Sequence, residues 1–460
     1  MRRLTKRTHL SIAIAVALLG APAAGPAVAG DADDAEKSPL TLWEGDGGSL
    51  LKGTFKAAAA YFMQNDSWFG QSEENLGVRS GSWWETYLHP GIEGSYVLGN
   101  GSTFYGRLSA VFASTNEIDA AGSNIPWDNV SGTRVEDAYV GWRSGALFES
   151  LGEDFLDVSI GRQQYVVGNG FLFFTQSSNG KNRGAYWMGE RQAAKFSGIV
   201  KLKTGNWKAD LVYLEADDNP YTNTRLGGVT LDYSISETIG GVGGGIYTVA
   251  SDVETRDSMN VFDVRFSLFP FEALEAGDLL KPVKVEGEYV YEDNGDVLEA
   301  SGWYLSAGYQ WADVPWKPTL TYRYASFEGD DPGTSKSESY DPLFYGFNDW
   351  GYWYQGEVLG EYVLSNSNLL SHMIKLNVKP IESVSANLFY FKFRLDDAEA
   401  SGVASRDFAE EWNLTLDWTA TDYLTISAVA AYVDPDKGAR EYTGGDDSWT
   451  YGMLYASVSF

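Results

Sequence analysis

The 460-residue sequence contains no cysteine and only three histidines. Without cysteine, neither disulfides nor thiolate metal sites can hold the fold together. A serine–histidine hydrolase needs a histidine beside a nucleophile, and the sequence around His89 and His372 shows no such arrangement. Carboxylates are too abundant for any two of them to be picked as a glycosidase pair. We therefore expect no enzymatic activity.

Long apolar runs are also missing. The longest one, from Leu10 to Gly20, is shorter than the roughly 20 residues that a membrane-spanning helix requires, which excludes a helical inner-membrane protein. Four basic residues precede this run, and the small residues Ala27, Val28 and Ala29 follow it. That order is typical of a secretory signal peptide cleaved after Ala29.

Basic residues are scarce: 34 lysines and arginines stand against 63 aspartates and glutamates, a net charge of −29. Loss of the four basic residues of the signal peptide lowers the net charge to −33. Nucleic acid is therefore not expected as a partner. The 51 glycines and the 15% aromatic content favour strands and tight turns over helices.

Alternation of apolar and polar residues dominates the chain from Phe55 onward. In the segment 411–418, Trp412, Leu414, Leu416 and Trp418 alternate with acidic or polar residues. A period of two predicts strands with one apolar and one polar face, and hence an all-β protein. The same pattern recurs in the segments 104–110, 259–268 and 303–311.

The connections distinguish a membrane barrel from a soluble β-sandwich, which also alternates. After a first strand near Lys52–Met63, long and short connections follow one another along the chain. Long extracellular loops and short periplasmic turns are typical of a transmembrane antiparallel β-barrel, here of about 18 strands (16–18). The weakest strand patterns lie near 226–235 and 244–250. Long loops are expected near 64–82, 115–133, 168–192, 215–225, 251–258, 292–301, 327–369, 395–408 and 434–447, and short turns near 99–101, 204–206, 312–318, 380–383 and 419–422.

Aromatic residues at the strand ends and at the chain end point to the outer membrane of a Gram-negative bacterium. Tryptophans such as Trp207 and Trp418 suit the interface girdles of a barrel, and the last strand ends in Phe460. We expect a signal peptide (1–29), a periplasmic N-terminal segment (30–50) and a barrel (51–460). Lipid and lipopolysaccharide are the expected surroundings, and periplasmic chaperones and the barrel-assembly machinery the expected folding partners.

Basic residues within strands are the candidates for a pore lining. An outward cation at the bilayer midplane would cost about 2–4 kcal/mol, so cations that alternate with lipid-type residues should point into the lumen. Pairing with inward acids such as Glu286 and Asp417 is an equally good explanation for them. Arg162 conflicts with simple parity, because it falls on the side of Val158 and Ile160. The inward candidates are Arg107, Lys195, Lys201, Arg265, Arg323 and Lys375.

Acidic clusters fall in the expected long loops. Asp330 and Asp331 are weak candidates for calcium binding through oxygen ligands, because a solvated loop or divalent bridging to lipopolysaccharide explains them better. No other cofactor is expected.

Two stretches resemble the alginate export family of outer-membrane channels: 322–331, which reads YRYASFEGDD, and 340–351, which contains YDPLFYG. Gly161-Arg162-Gln163 is similar to that family as well. The resemblance implies an eighteen-stranded barrel whose arginine-rich lumen passes an anionic polyuronate. By the same resemblance, Arg162 and Arg323 become pore candidates and the segment 327–369 a candidate gate.

Together, these features predict a passive outer-membrane channel for an anionic sugar, an alginate-like polyuronate or a small organic anion. The lumen is expected to be lined by cations and gated by loops. Two alternatives stay open: a general or cation-leaning diffusion porin, suggested by the inward acids, and a structural sleeve or adhesin.

Overall fold

The computed structural model describes residues 40–125, 127, 129–218, 220–273, 279–346 and 355–460. The predicted signal peptide lies outside these residues, and so do residues 30–39 of the predicted segment 30–50. Among the described residues, no helix has the length and apolar character needed to cross a bilayer.

The described residues form nineteen strands, and all but the first belong to one closed antiparallel barrel. Each strand from β2 onward pairs with the next, and β19 pairs back onto β2. The predicted barrel of about 18 strands is confirmed. The strands are β1 (Thr41–Glu44), β2 (Leu50–Asn65), β3 (Trp83–Val97), β4 (Thr103–Asn116), β5 (Asn129–Arg143), β6 (Leu156–Arg162), β7 (Phe196–Thr204), β8 (Trp207–Glu215), β9 (Arg225–Ser236), β10 (Gly240–Ala250), β11 (Asn260–Leu268), β12 (Val283–Asp293), β13 (Glu299–Gln310), β14 (Thr319–Phe327), β15 (Leu369–Ile381), β16 (Val384–Arg394), β17 (Asp407–Thr419), β18 (Leu424–Pro435) and β19 (Trp449–Ser459).

The helices are short and lie in the connections. Among the described residues they are α1 (Ser72–Leu76), α2 (Pro270–Ala273) and α3 (Lys437–Thr443), together with 3-10 turns at Asp46–Gly48, Gly145–Phe148, Lys181–Arg183 and Glu399–Ser401 and a π-helical turn at Leu359–Val363.

The two faces of β17 show how the sequence pattern becomes a membrane barrel. Trp412 and Leu414 point outward and remain 47% and 54% exposed, as expected for side chains that contact lipid. Glu411 and Asn413 alternate with them and point inward, where both are buried. Because successive side chains of a strand lie on opposite faces, the apolar surface faces the bilayer and the polar surface faces the lumen.

Barrel closure involves the last residue of the chain. The backbone N–H of Phe460 donates to the carbonyl of Phe55 at 2.8 Å, and the Phe55 N–H donates back at 3.3 Å. The Phe460 ring stacks on Tyr423 of the neighbouring turn, with 4.6 Å between centroids. Strand β1 pairs with residues 50–52 of β2.

The connections keep the predicted alternation, with long loops at one end of the barrel and turns at the other. The long ones lie close to the predicted positions, and both weak strand patterns correspond to strands, β9 and β10. Two turns at the periplasmic end, 144–155 and 269–282, are longer than the short turns that the pattern predicted elsewhere.

Candidate functional site: a lumen filled by two loops

The loop between β6 and β7 (163–195) folds into the barrel. Phe171 and Phe173 are fully buried. The Phe171 ring lies 5.4 Å from the ring of Tyr304 on β13, and the Phe173 ring lies 4.7 Å from that of Tyr247 on β10. Since Tyr247 and Tyr304 belong to the inward face of the wall, the β6–β7 loop lies in the lumen.

The described part of the loop between β14 and β15 (328–346 and 355–368) also enters the lumen. The ring of Tyr362 sits 6.0 Å from Trp83 on β3 and 6.0 Å from Trp449 on β19. Its hydroxyl donates to the hydroxyl of Tyr451 at 3.2 Å. A closed barrel of this strand number would otherwise leave an aqueous channel, and the two loops occupy part of that space.

The two loops contact each other through a short parallel bridge between Phe173 and Phe344. The backbone N–H groups of Phe174 and Thr175 donate to the Phe344 carbonyl at 2.8 and 2.9 Å. Gly346 lies against the ring of Phe174, where a β-carbon would overlap the ring. The described residues of the two loops (163–195, 328–346 and 355–368) therefore contact each other, and we call them together the plug.

Three arginines converge on Asp217, which lies just beyond β8. Arg162 at the end of β6 approaches its carboxylate at 2.7 Å, and Arg183 and Arg191 of the β6–β7 loop approach it at 2.9 and 2.7 Å. Glu136 on β5 lies 3.8 Å from Arg162 and 3.6 Å from Arg191. The cluster therefore joins three positive charges with two negative ones.

The arginines hold Asp217 in its ionised form. Burial raises the pKa of its carboxyl, but the neighbouring guanidinium groups lower it by more, to about 2 from an ordinary 3.8. Asp217 is therefore a permanent anion at neutral pH, and it ties the β6–β7 loop to the end of β8.

Gly161 resolves the parity conflict of Arg162. Its φ of 130° lies in a region that favours glycine, and a β-carbon there would collide with the backbone of Ala138 and Tyr139. This irregularity at the end of β6 lets the Arg162 side chain reach Asp217 inside the barrel, although simple parity places it on the outer face.

Arg107 and Arg265 point inward and are ion-paired. Arg107 approaches Asp137 at 2.9 Å and Glu93 at 3.6 Å. Arg265 approaches Asp263 at 2.5 Å and Asp232 at 2.7 Å. The sequence left two explanations open for these cations, a lumen lining and pairing with inward acids. Both apply to Arg107 and Arg265, which face the lumen and pair with inward acids.

Arg323 on β14 is buried beneath the plug. It donates to the side-chain oxygen of Gln355, a residue of the β14–β15 loop, at 3.4 Å. Thr321, two residues earlier on the same inward face, lines a cavity of about 250 Å³ together with Lys284, Glu286 and Ser306. Arg323 thus contacts the plug and lies two residues from a side chain that lines this cavity.

The other three predicted cations occupy different positions. Lys375 faces inward with its ammonium 5.3 Å from the centre of the Phe389 ring. Lys201 lies across from Asp210 on β8 and Asp157 on β6 in the sheet register. Lys195 precedes the first residue of β7, so strand parity does not govern it. Its side chain is half exposed at the rim and pairs with Glu215 at 2.6 Å.

Sequence reasoning missed the loop contribution to the site. Arg183 and Arg191 lie in a long connection without periodicity, where nothing indicates that a side chain turns into the lumen. It also did not place His89 next to a loop, and the His89 ring bonds Glu190 of the β6–β7 loop at 2.6 Å and Ser109 at 2.8 Å. Lys56 pairs with the same Glu190 at 2.8 Å.

The loop acids proposed for calcium act as turn acceptors. Asp331 accepts from the Gly333 backbone at 2.8 Å, and Asp330 from the Glu338 backbone at 3.1 Å. In the described part of the chain, no group of three or more histidine, aspartate or glutamate side chains is arranged to hold a metal ion. Loop calcium stays a prediction.

Solved structures of outer-membrane porins share this fold. OpdK of Pseudomonas aeruginosa, solved with vanillate, is 9% identical with a TM-score of 0.55, and the match covers 89% of this chain and 98% of that one. A BenF-like porin from Pseudomonas fluorescens is 12% identical with a TM-score of 0.53, over 89% and 98% of the two chains. At these identities the likeness shows the fold alone.

The sequence profile of the alginate export family matches residues 115–435. Among curated proteins, none matches the sequence significantly. The matched region spans β5 to β18 and includes both loops of the plug. The chain therefore belongs to the alginate export family and is an outer-membrane β-barrel channel rather than an enzyme.

Proposed function

We propose that the channel passively passes an anionic solute, either an alginate-like polyuronate or sugar acid or a small organic anion, through a cation-lined lumen gated by the plug. The observation that carries this proposal is the convergence of Arg162, Arg183 and Arg191 where the β6–β7 loop meets the wall. Guanidinium groups match carboxylates in geometry and stay charged at every physiological pH.

The acidity of the lumen does not oppose this proposal as strongly as the sequence suggests. Glu85, Glu136 and Glu411 point inward, but they are at most 3% exposed and accept hydrogen bonds from the plug backbone. Their carboxyl groups therefore already accept hydrogen bonds within the protein. A passing solute meets fewer anionic groups than the composition implies.

A small organic anion fits the proposal as well as a polyuronate does. OpdK, which has the same fold, was solved with vanillate, an aromatic carboxylate. The family description names alginate, whose repeating units each carry a carboxylate. Both solutes carry the carboxylate that an excess of guanidinium groups in the lumen would attract.

A cation-leaning porin is the second candidate, and the surroundings of Arg265 favour it. Asp232 and Asp263 pair with this single arginine. Glu288, buried nearby, adds another acidic side chain. A permeation path along β9–β12 would therefore meet more negative than positive charge.

Block of the reconstituted channel tests the proposal. In planar bilayers, oligouronates should block current at lower concentrations than neutral oligosaccharides of equal length, and the difference should shrink at high salt because the field is screened. Equal block by charged and neutral sugars would contradict an anion site. A complete lack of conductance under all voltages would favour the sleeve or adhesin alternative.

A further inference from the structure

Three buried glutamates of the barrel wall bind the plug by its backbone. Glu85 on β3 accepts hydrogen bonds from the N–H groups of Tyr186, Trp187 and Met188 at 3.1, 3.0 and 3.0 Å. Thr115 on the neighbouring strand β4 adds its hydroxyl to the same carboxylate at 3.3 Å. One carboxylate thus satisfies three successive N–H groups of the β6–β7 loop.

Glu136 repeats this arrangement on β5. Its Oε1 accepts from the backbone N–H groups of Gln192 and Ala193 at 2.6 and 2.7 Å. Glu85 and Glu136 therefore hold two parts of the same loop, on either side of the turn at Gly189. Each contact uses the several lone pairs that the two oxygens of a carboxyl group present to neighbouring backbone donors.

Glu411 on β17 holds the other loop. Its two oxygens accept from the N–H groups of Val358 and Leu359, both at 2.9 Å, at the start of the π-helical turn. Asn413 donates to the same carboxylate at 2.8 Å. Both loops of the plug are therefore fixed to the wall by the same chemical device, from different sides of the barrel.

We propose that Glu85, Glu136 and Glu411 are positioning residues that keep the channel closed, by clamping the backbone of the plug to the wall. The bridge between Phe173 and Phe344 couples the loops, so release of one clamp weakens the hold on the whole plug. This inference rests on the proposed function only in assuming that the plug obstructs a permeation path. It concerns the gate and makes no claim about the solute.

Replacement of Glu85 by glutamine isolates the clamp. The amide keeps the shape of the side chain but places an N–H₂ group where one of the two acceptor oxygens stood, against backbone donors. Buried backbone donors left without an acceptor correspond to about a tenfold or larger change in loop release. Glu93→Gln is the matched control, because Glu93 lies on the same strand and pairs with the wall cations Lys52 and Arg107.

A single cysteine reports release in this cysteine-free chain. Ala185 precedes the clamped N–H groups and is 1% exposed, so the thiol of Ala185→Cys should react slowly with a membrane-impermeant methanethiosulfonate reagent. Labelling of reconstituted protein should be about tenfold faster or more when Glu85→Gln is added, and unchanged when Glu93→Gln is added. Heat-modifiable gel mobility should show a folded barrel in all three proteins.

Equal labelling rates for Ala185→Cys with and without Glu85→Gln would overturn the clamp, and so would fast labelling of Ala185→Cys alone. If Glu85→Gln fails to fold, Glu411→Gln combined with Val358→Cys asks the same question of the other loop, since Val358 is fully buried. Ion selectivity is read separately in bilayers. Release without anion preference would contradict the proposed function only, and anion preference without release would contradict the clamp only.

Discussion

Phe173 and Phe344 lie side by side in a parallel bridge, although their loops leave the wall on nearly opposite sides of the barrel. Their contact joins two separate insertions into one body. A force or a ligand that moves one loop therefore acts on the other as well.

Separation of the two loops should make the channel leakier. In Gly346→Val, the new side chain would overlap the ring of Phe174 and break the adjoining hydrogen bond between Gly346 and Gly170. We expect higher conductance and larger current fluctuations in planar bilayers. Gly81→Val is the control, because a β-carbon on Gly81 meets no atom. Identical records for both variants would show that the bridge does not constrain the plug.

Removal of the Asp217 carboxylate should loosen the β6–β7 loop at neutral pH. In Asp217→Asn, three arginines lose their shared anion, and breaking a buried pair of this kind costs about 3–5 kcal/mol. Limited proteolysis of detergent-solubilised protein should cut the segment 176–194 in the variant and spare it in the wild type. Resistance of the variant equal to that of the wild type would show that Glu136 alone suffices.

The difference in protease resistance between the wild type and Asp217→Asn should depend on pH. Because the pKa of Asp217 is lowered to about 2 from 3.8, its contribution is fully present above the ordinary value and is lost as the pH falls through about 2. Pepsin, which acts in acid, should therefore distinguish the wild type from Asp217→Asn near pH 4 and cease to do so near about pH 2. If pepsin still distinguished the two proteins at the lowest pH, the ionised Asp217 carboxylate would not be the cause of the difference.

Glu361 in the β14–β15 loop should make the plug sensitive to alkaline pH. Burial and the negative charges of Glu357 and Glu411 raise the pKa of Glu361 well above its ordinary 4.5. A raised carboxyl pKa contributes stability at low pH, which is lost as the pH rises above 4.5 towards the raised value. Channel conductance should thus increase with pH, and Glu361→Gln should remove that increase. If conductance increased with pH in the variant as well, a group other than Glu361 would be responsible for the increase.

The sequence predicted the wall better than the interior. Alternation in segments such as 411–418 follows from the two faces of a strand in lipid, so strand number and loop rhythm could be derived. Inward positions of Arg107, Arg265 and Arg323 followed from the same parity.

The plug could not be derived in that way. Arg183 and Arg191 depend on contacts with Asp217 and Glu136, which are distant in sequence, and loops carry no periodicity that reports such contacts. Strand parity could not predict the direction of the Lys195 side chain, because Lys195 lies outside β7. Arg162 required the unusual backbone of Gly161, and the role of Glu85 required knowledge of which N–H groups lie opposite it.

Lumenal cations should give the channel a preference for anions. Arg323→Ala removes a buried inward cation next to the plug, so it should lower the anion preference at low salt. Arg394→Ala is the matched control: it removes the same charge at the extracellular end of β16, from an exposed side chain paired with Asp407, and should change the preference little.

The most direct measurement is the reversal potential of single channels across a salt gradient at low ionic strength, where lumenal charges are least screened. We predict an anion-selective wild type, a clear shift towards cations for Arg323→Ala, and a much smaller shift for Arg394→Ala. A cation-selective wild type whose reversal potential is unchanged by Arg323→Ala would contradict the account and support the cation-leaning porin in its place.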